Sequence, residues 1–480
     1  MAARTGSEFL AGLRTPREIW VGDEKVRDVA SHPSFAGGAG TMARLFDLQH
    51  EAADLCLMPD PETGEAINAS HMIPGSRDDL RRRHAALQHT AEFTVGLMGR
   101  TPDYMNVTFA GFAGRHVEWG EDGNEAGAAR LVAYQKSLAR QDLSLTHTII
   151  QPTIDRALGD APVAGNDVAL RKVADTEHGI VVRGARILAT LAPFADEIAV
   201  YPAHPLPEGA EAYALTFCVP MGTPGLKFIC RDTCATPRNL FDHPLSSRFD
   251  EQDAFVIFDD VEVPRERVFI DGHRTIYNRA MASGFQNPMH QTMIRAQTKL
   301  EFAWGLASRM SETINTIGQP QVQQMLGEIA MFAEFTRTAV FAAEQAAREY
   351  GNGVWACDLR PLAALRAALP TWFSRTNEII RQLGSHNLLT TPARAALADD
   401  TLRPLLERYL KGVDVGAEQR SRLFRLAWDF AATALGSRNE QYERFYLGSM
   451  GRALTMLHVN GDRTRASRLL DRFLSEQLEA

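Results

Sequence analysis

The glycine-rich nucleotide cradles are missing from this sequence. Neither GxGxxG nor GxxxxGK[ST] occurs, which removes the main sequence support for a Rossmann dinucleotide fold and for P-loop phosphoryl transfer. HExxH and GxSxG are absent too, so neither a metalloprotease helix nor a hydrolase nucleophile elbow is indicated. Cysteine is scarce: five residues, an odd number, at 56, 218, 230, 234 and 357. They form no disulfide framework, so a reducing cytoplasm is the expected compartment. Cys230 and Cys234 make a CxxxC, but no second Cys/His pair completes a tetrahedral site. They read as structural thiols, and no metal is expected. No apolar run approaches the roughly 20 residues of a membrane span, and the N-terminus has no apolar signal core. Positive charge is not in excess either. The net charge of -8 argues against nucleic acid as the main partner, and the short basic run Arg81–Arg83 reads as a solvated helix face.

What is present is an ordinary globular composition, 45 % hydrophobic and 23 % charged, over 480 residues; this length calls for about two or three packed domains. Residues 1–150 read as mainly helical. Thr5-Gly-Ser-Glu8 is a capping box, and Asn124 is placed to cap a helix ending near Asp142. Gly111 to Gly114 reads as a flexible loop. Residues 151–272 carry short β-rich runs at 170–173, 180–187, 197–201, 212–219, 226–229 and 254–258, separated by Gly, Pro and Asp. That pattern predicts an antiparallel sheet or barrel and not a parallel doubly wound sheet. Residues 273–480 turn helical again. Val322, Met325, Ile329, Phe332, Thr336, Val340, Ala343 and Ala347 recur at steps of three or four, as a bundle core or a subunit interface would require.

Two segments carry chemistry. In Gly99-Arg-Thr-Pro-Asp-Tyr104, Pro102 makes a rigid turn after a predicted helix and projects Arg100 and Tyr104 from one side. The arginine is permanently charged and the tyrosine hydroxyl both donates and accepts, so the pair suits a phenolate or carboxylate; it equally suits a structural turn with an ion pair. In Leu145-Thr-His147 and the apolar stretch after it, His147 can accept a phenolic proton, or donate once protonated, or be a satisfied half-buried imidazole. Asp155-Arg156 reads as a local ion pair.

Taken together, Arg100-Thr-Pro-Asp-Tyr104, His147-x-Ile-x-x-Pro-x-x-Asp-Arg156, Pro244-Leu-Ser-Ser-Arg-Phe-Asp-Glu251, Val261-Glu-Val-Pro-Arg-Glu-Arg-Val-Phe269 and Tyr442-Glu-Arg-Phe-Tyr-Leu-Gly448 stand in the order of a known family. The chain resembles the oxygenase component of two-component, flavin-dependent 4-hydroxyphenylacetate 3-monooxygenases and related phenol hydroxylases. The resemblance implies an α+β, acyl-CoA dehydrogenase-like fold: an N-terminal helical domain (1–150), a central antiparallel β-barrel domain (151–272) and a C-terminal four-helix bundle (273–480) that forms a homotetramer. It implies FADH2 supplied by a separate NAD(P)H-dependent flavin reductase, O2 as co-substrate, a C4a-hydroperoxyflavin and ortho-hydroxylation of a phenol to a catechol. It assigns Arg100, Tyr104 and His147 to the reacting centre. Flavin contacts are expected from His147, Thr148, Ile149, Ile150, Thr153, Ile154, Asp155, Arg156, Thr190, Gly448, Ser449, Met450 and Gly451. Residues after His147 and the Pro-rich loop near 203–211 depart from familiar members. A halophenol or nitrophenol monooxygenase, or a hydroxylase of a tyrosine-derived intermediate, therefore stays open. A more remote alternative is an acyl-CoA dehydrogenase or CoA-ester dehydratase; the cysteines give no convincing cluster set for the latter, and no carboxylate base is evident for the former.

Overall fold

Thr5 opens the first helix, Gly6–Gly12, as a capping box: its hydroxyl accepts from the Glu8 amide while the Glu8 carboxylate accepts from the Thr5 amide. The computed structural model describes residues 3–152, 154, 167–202, 204–235, 239–280, 284–446 and 448–478. Helices Ala36–Glu51, Arg77–Phe93, Pro102–Gly114 and Glu125–Gln141 follow. The last lies within the limits expected of it. Asn124, however, occupies the cap without a capping bond; its side-chain amide donates to the Trp119 and Phe269 carbonyls and ties the helix start to the sheet region.

Burial overturns two expectations. Gly111 to Gly114 is the last turn of the Pro102–Gly114 helix and not a loop. A Cβ on Gly111 would stand 2.6 Å from the Asn287 amide and 2.9 Å from the Gly284 carbonyl, so glycine here permits close approach to helix Gln286–Thr313. The Arg81–Arg83 run is only partly solvated: Arg81 and Arg82 are exposed, whereas Arg83 is buried and donates to the Met72 carbonyl.

Two sheets form the middle layer. The larger orders Glu24–Lys25, Glu18–Val21, Leu226–Cys230, Asp253–Pro264, Gly179–Thr190 and Arg171–Asp175; the smaller orders Val268–Asp271, Leu215–Pro220, Glu197–Val200 and Leu145–Thr148. The strand pairs are antiparallel except Glu18–Val21 with Leu226–Cys230 and Leu145–Thr148 with Glu197–Val200. The first 150 residues thus supply strands to both sheets. Alternate residues such as Ile180, Val182, Phe228, Val256 and Phe258 fill the core, and Phe217 meets Phe258 edge-on across the two sheets at 6.0 Å.

Helices Gln286–Thr313, Pro320–Gln345, Leu359–Thr390 and Ala417–Ala431 pack as the C-terminal bundle. The stripe Val322, Ile329, Phe332, Thr336, Val340 and Ala343 is buried within it, so the periodicity marks bundle core. A charged cluster joins the bundle to the short helix Ala434–Phe445. Glu443 receives two bonds from Arg295, at 2.8 and 2.9 Å, and one from Lys299 at 2.8 Å, and all three side chains are buried. Burial pushes the Glu443 carboxyl up, but the two cations outweigh it and hold it at about 2, below its ordinary 4.5. Its contribution to stability is therefore complete above about pH 4.5 and is lost as pH falls toward 2. Glu443→Gln, which leaves two buried cations short of a carboxylate, is expected to cost about 3–5 kcal/mol at pH 7. Urea unfolding at pH 7 and pH 3 should show the gap to wild type narrowing in acid; a wild-type midpoint at pH 7 would deny the cluster this role.

Candidate active site

The site is built where three distant segments meet. After helix Arg77–Phe93 the chain reverses through Val95 (φ 47°) and Gly96 (φ 69°). Gly96 is required there: a Cβ would lie 2.6 Å from both the Arg295 carbonyl and the Lys299 amide, and its own carbonyl accepts from Arg295 at 2.6 Å. Pro102 does not turn the chain after a helix; it is the first residue of one, where its missing N–H costs nothing. Tyr104 sits in that first turn and Arg100 just ahead of the Thr101 cap. The Arg100 amide donates to Glu251 Oε1 at 2.6 Å, which sets the direction in which the side chain leaves.

His147 lies on Leu145–Thr148, the edge strand of the smaller sheet, in register with Ala199. Its ring stacks against Tyr104, at 5.5 Å and 25°, and against Tyr201, at 5.3 Å and 22°. The Arg100 guanidinium lies 4.0 Å from the centroid of Tyr104 and 4.3 Å from that of Tyr446, with Tyr442 at 5.8 Å. Tyr446 shares a 2.6 Å hydrogen bond with Thr292. Gly99 must be glycine, because any Cβ would overlap Tyr442. Arg100, Tyr104 and His147 are thus brought together, each less than 10 % exposed.

Charge is unevenly balanced in this cluster. The Arg100 guanidinium donates to the Gly99 carbonyl at 3.3 Å, and no carboxylate among the described residues pairs with it. Burial works against its charge, but the surrounding tyrosine oxygens hold its pKa above the ordinary value. Burial, and then Arg100, push the His147 imidazole well below its ordinary value. His147 is therefore neutral at pH 7, an acceptor and not a protonated donor. Burial also raises the hydroxyls of Tyr201, Tyr442 and Tyr446, which stay protonated.

Of the residues expected to line a flavin, Thr148 is buried beside His147, and Ile149 and Ile150 are half-buried. Thr190 ends strand Gly179–Thr190 with its hydroxyl donated to Asp253 at 2.7 Å and its carbonyl accepting from Thr146 at 2.6 Å, so it enters the site as part of a network and not as a free donor. Gly448, at φ 84°, and Ser449, which caps helix Met450–Val459, follow closely on Tyr446; Met450 and Gly451 are exposed. Ile154 is exposed, while Thr153, Asp155, Arg156 and the ion pair read into the last two lie outside the described residues. Within this cluster, the buried His147 Nδ1, Thr148 Oγ1 and Tyr442 hydroxyl have no hydrogen-bond partner among the described residues. A flat heteroaromatic ring edge, with its carbonyl oxygens and ring nitrogens, is the type of group that satisfies such a set, so the donors present fit an isoalloxazine.

Several members escaped sequence reasoning. Tyr201, Tyr442 and Tyr446 face Arg100 or His147 from two other segments. Behind them Arg438 bonds Glu251 at 2.9 Å and Asp253 at 2.7 Å. Glu251 and Tyr442 fell inside family-like motifs, which was the available signal; nothing local distinguishes Tyr201.

Residues 5–270 match the family model described as 4-hydroxyphenylacetate 3-hydroxylase N terminal, and residues 279–475 match the corresponding C terminal model. The chain belongs to the 4-hydroxyphenylacetate 3-hydroxylase family. It is 38 % identical to the 4-hydroxyphenylacetate 3-monooxygenase oxygenase component of Thermus thermophilus, covering 99 % of this chain and 98 % of that one. It is 33 % identical to the oxygenase component of a Rhodococcus 4-nitrophenol 2-monooxygenase, covering 92 % and 86 %. A crystal structure of the oxygenase component of 4-hydroxyphenylacetate 3-monooxygenase with FAD and 4-hydroxyphenylacetate superposes with a TM-score of 0.95 at 37 % identity, covering 99 % of each chain. Glutaryl-CoA dehydrogenase shares the fold alone, with a TM-score of 0.51 at 13 % identity over 82 % of this chain and 85 % of that one. The resemblance read from the five motifs and the acyl-CoA dehydrogenase-like fold it implied both hold. As a member of the 4-hydroxyphenylacetate 3-hydroxylase family, the chain is an FAD-dependent monooxygenase of the two-component kind.

The electrostatics give a direct test. Histidine-selective ¹⁵N NMR should show the His147 imidazole still neutral where an ordinary imidazole has taken up its proton; titration at the ordinary value of 6.5 would overturn this account.

Proposed function

We propose that this chain ortho-hydroxylates a phenol of the 4-hydroxyphenylacetate type to a catechol, with FADH2 delivered by a separate NAD(P)H-dependent flavin reductase and with O2. The observation that carries the reading is a buried guanidinium without a carboxylate partner, Arg100, held between aromatic faces beside a neutral imidazole. Reduced FAD, when bound, supplies the electrons and the activated oxygen. The residues do the rest. Arg100 places fixed positive charge where the phenol oxygen gains negative charge, which makes the ring more electron-rich. His147 Nδ1, unpartnered and buried, accepts the phenol O–H and fixes its direction. Tyr104, one ring away, both donates and accepts. The surrounding tyrosines and the strand wall exclude water, which would otherwise favour release of peroxide over transfer to the ring. The flavin side of the proposal comprises His147 to Ile150, Thr190 and Gly448 to Gly451, with Thr153 to Arg156 retained from the family resemblance.

We further propose a homotetramer in the cytoplasm. Support for assembly comes from the bundle's outer surface, where Trp304, Met331, Phe335 and Phe341 are exposed, and from helix Thr464–Leu478, which exposes Leu469, Leu470, Phe473 and Leu474. Five free thiols suit a reducing compartment. Among the described residues, no helix is long and apolar enough to cross a membrane.

Purified chain mixed with an FAD reductase, NADH and 4-hydroxyphenylacetate should release the 3,4-dihydroxy product. Absence of any catechol across a panel of para-substituted phenols would refute the proposal. Arg100→Ala should lower kcat/KM about 10²–10³-fold. His147→Ala should divert reducing equivalents from product to hydrogen peroxide, and unchanged coupling would remove His147 from the reaction.

A further inference from the structure

A second cluster of ligating side chains lies behind the helix that supports the active site. His84 on helix Arg77–Phe93, His290 on Gln286–Thr313 and Glu344 on Pro320–Gln345 bring Nδ1, Nε2 and Oε1 within 4.8 Å of one another. His290 Nε2 stands 2.7 Å from Glu344 Oε1, and His84 Nδ1 contacts the same oxygen. Both imidazoles therefore converge on one point and leave the second carboxylate oxygen aside. A network built only for hydrogen bonding has two oxygens to share between them. The rings meet edge to face, with centroids 5.6 Å apart, so their nitrogens reach the carboxylate from different directions. His290 is wholly buried, whereas the His84 side chain is 22 % exposed, which leaves one side open to solvent.

We propose that His84, His290 and Glu344 bind one divalent transition-metal ion, Zn(II) fitting best, which staples the Arg77–Phe93 helix to two long helices of the bundle. Two imidazole nitrogens and one carboxylate oxygen make a borderline-soft ligand set of the kind zinc takes, with water from the open side completing four-coordination. Zinc bonds of about 2.0–2.1 Å in tetrahedral geometry separate ligand atoms by roughly 3.3 Å. The triangle need therefore open by less than an ångström along its 2.7 Å edge. On binding, the ion replaces the two imidazole–carboxylate hydrogen bonds, and the proton each neutral ring had donated to Glu344 shifts to its other nitrogen, freeing the facing lone pair for the metal. Arg83 lies within electrostatic reach of Glu344, so affinity should fall below that of a cysteine-rich structural zinc site. The site backs onto catalysis only through the scaffold. Thr292, two residues beyond His290 and hence on the opposite face of the helix, bonds Tyr446.

Metal-stripped full-length protein is titrated with zinc sulfate against a chromophoric chelator, and separately with cobalt(II) chloride. The expected result is about one zinc per chain, a rise in Tm on loading, and the intense visible bands of four-coordinate cobalt. His84→Ala and Glu344→Gln, checked for folding by circular dichroism, should each weaken zinc binding at least tenfold and abolish the cobalt bands. The proposal is overturned if the wild type takes up no stoichiometric zinc. It is equally overturned if its cobalt spectrum shows only weak six-coordinate bands, or if both variants bind as the wild type does. Each of these results would make the cluster a hydrogen-bonded network alone.

Discussion

The active-site geometry depends on one carboxylate. Glu251 is fully buried, accepts the Arg100 amide on one oxygen and the Arg438 guanidinium on the other, and so joins the segment before Pro102 to helix Ala434–Phe445. Arg438 continues to Asp253, which also receives Thr190 and Arg231. A single ionic network thus touches the N-terminal helices, both strands that flank the site and helix Ala434–Phe445. Buried charges of this kind contribute little net stability once desolvation is counted, but they tolerate few alternative arrangements. Their effect is to fix where Arg100 leaves the backbone.

With the backbone fixed, the guanidinium can be left without a carboxylate of its own. Its planar faces lie against Tyr104 and Tyr446, contacts a lysine ammonium could not reproduce with the same geometry. The same charge lowers the affinity of His147 for a proton, so the two groups are not independent. A charged guanidinium and an imidazole that burial keeps neutral at pH 7 thus both lie against one tyrosine ring, the first suited to an anion and the second to accepting a hydrogen bond.

The sequence pointed to the cluster of Arg100, Tyr104 and His147 more readily than to its support. Arg100, Tyr104 and His147 were identifiable because five motifs kept a family order, not because any motif alone was decisive. The capping box at Thr5 and the buried stripe from Val322 to Ala343 were readable because their rules act over four residues or over one helix face. Reasoning failed where long-range burial decides local conformation. Gly111 to Gly114 has a loop-like composition, yet it is helical because another helix needs the space beside it. Arg83 looks like its two exposed neighbours until the fold buries it. Asn124 has the right residue type for a cap, but its amide found better-placed carbonyls at Trp119 and Phe269. Tyr201 carries no local signal: it faces His147 only because residues 145–148 pair in parallel with residues 197–200, a pairing between segments 52 residues apart.

The two buried cation groups acquire a common purpose through Tyr446. Its ring has Arg100 at 4.3 Å on one side and Arg295 at 5.1 Å, and its hydroxyl is held by Thr292. Arg295 and Lys299 share the single carboxylate of Glu443, whereas no carboxylate pairs with the Arg100 guanidinium among the described residues. Around the Tyr446 ring, Arg100, Arg295 and Lys299 thus face the one carboxylate of Glu443, while Glu251 and Asp253 are engaged by Arg438 behind Tyr442. Leaving the Arg100 guanidinium without a carboxylate costs folding free energy when nothing anionic lies against it, since a buried charge gives up solvation. The cost is offset when an anionic group lies against the guanidinium. This is the arrangement expected of a site built around the charge it will meet and not around its own resting stability.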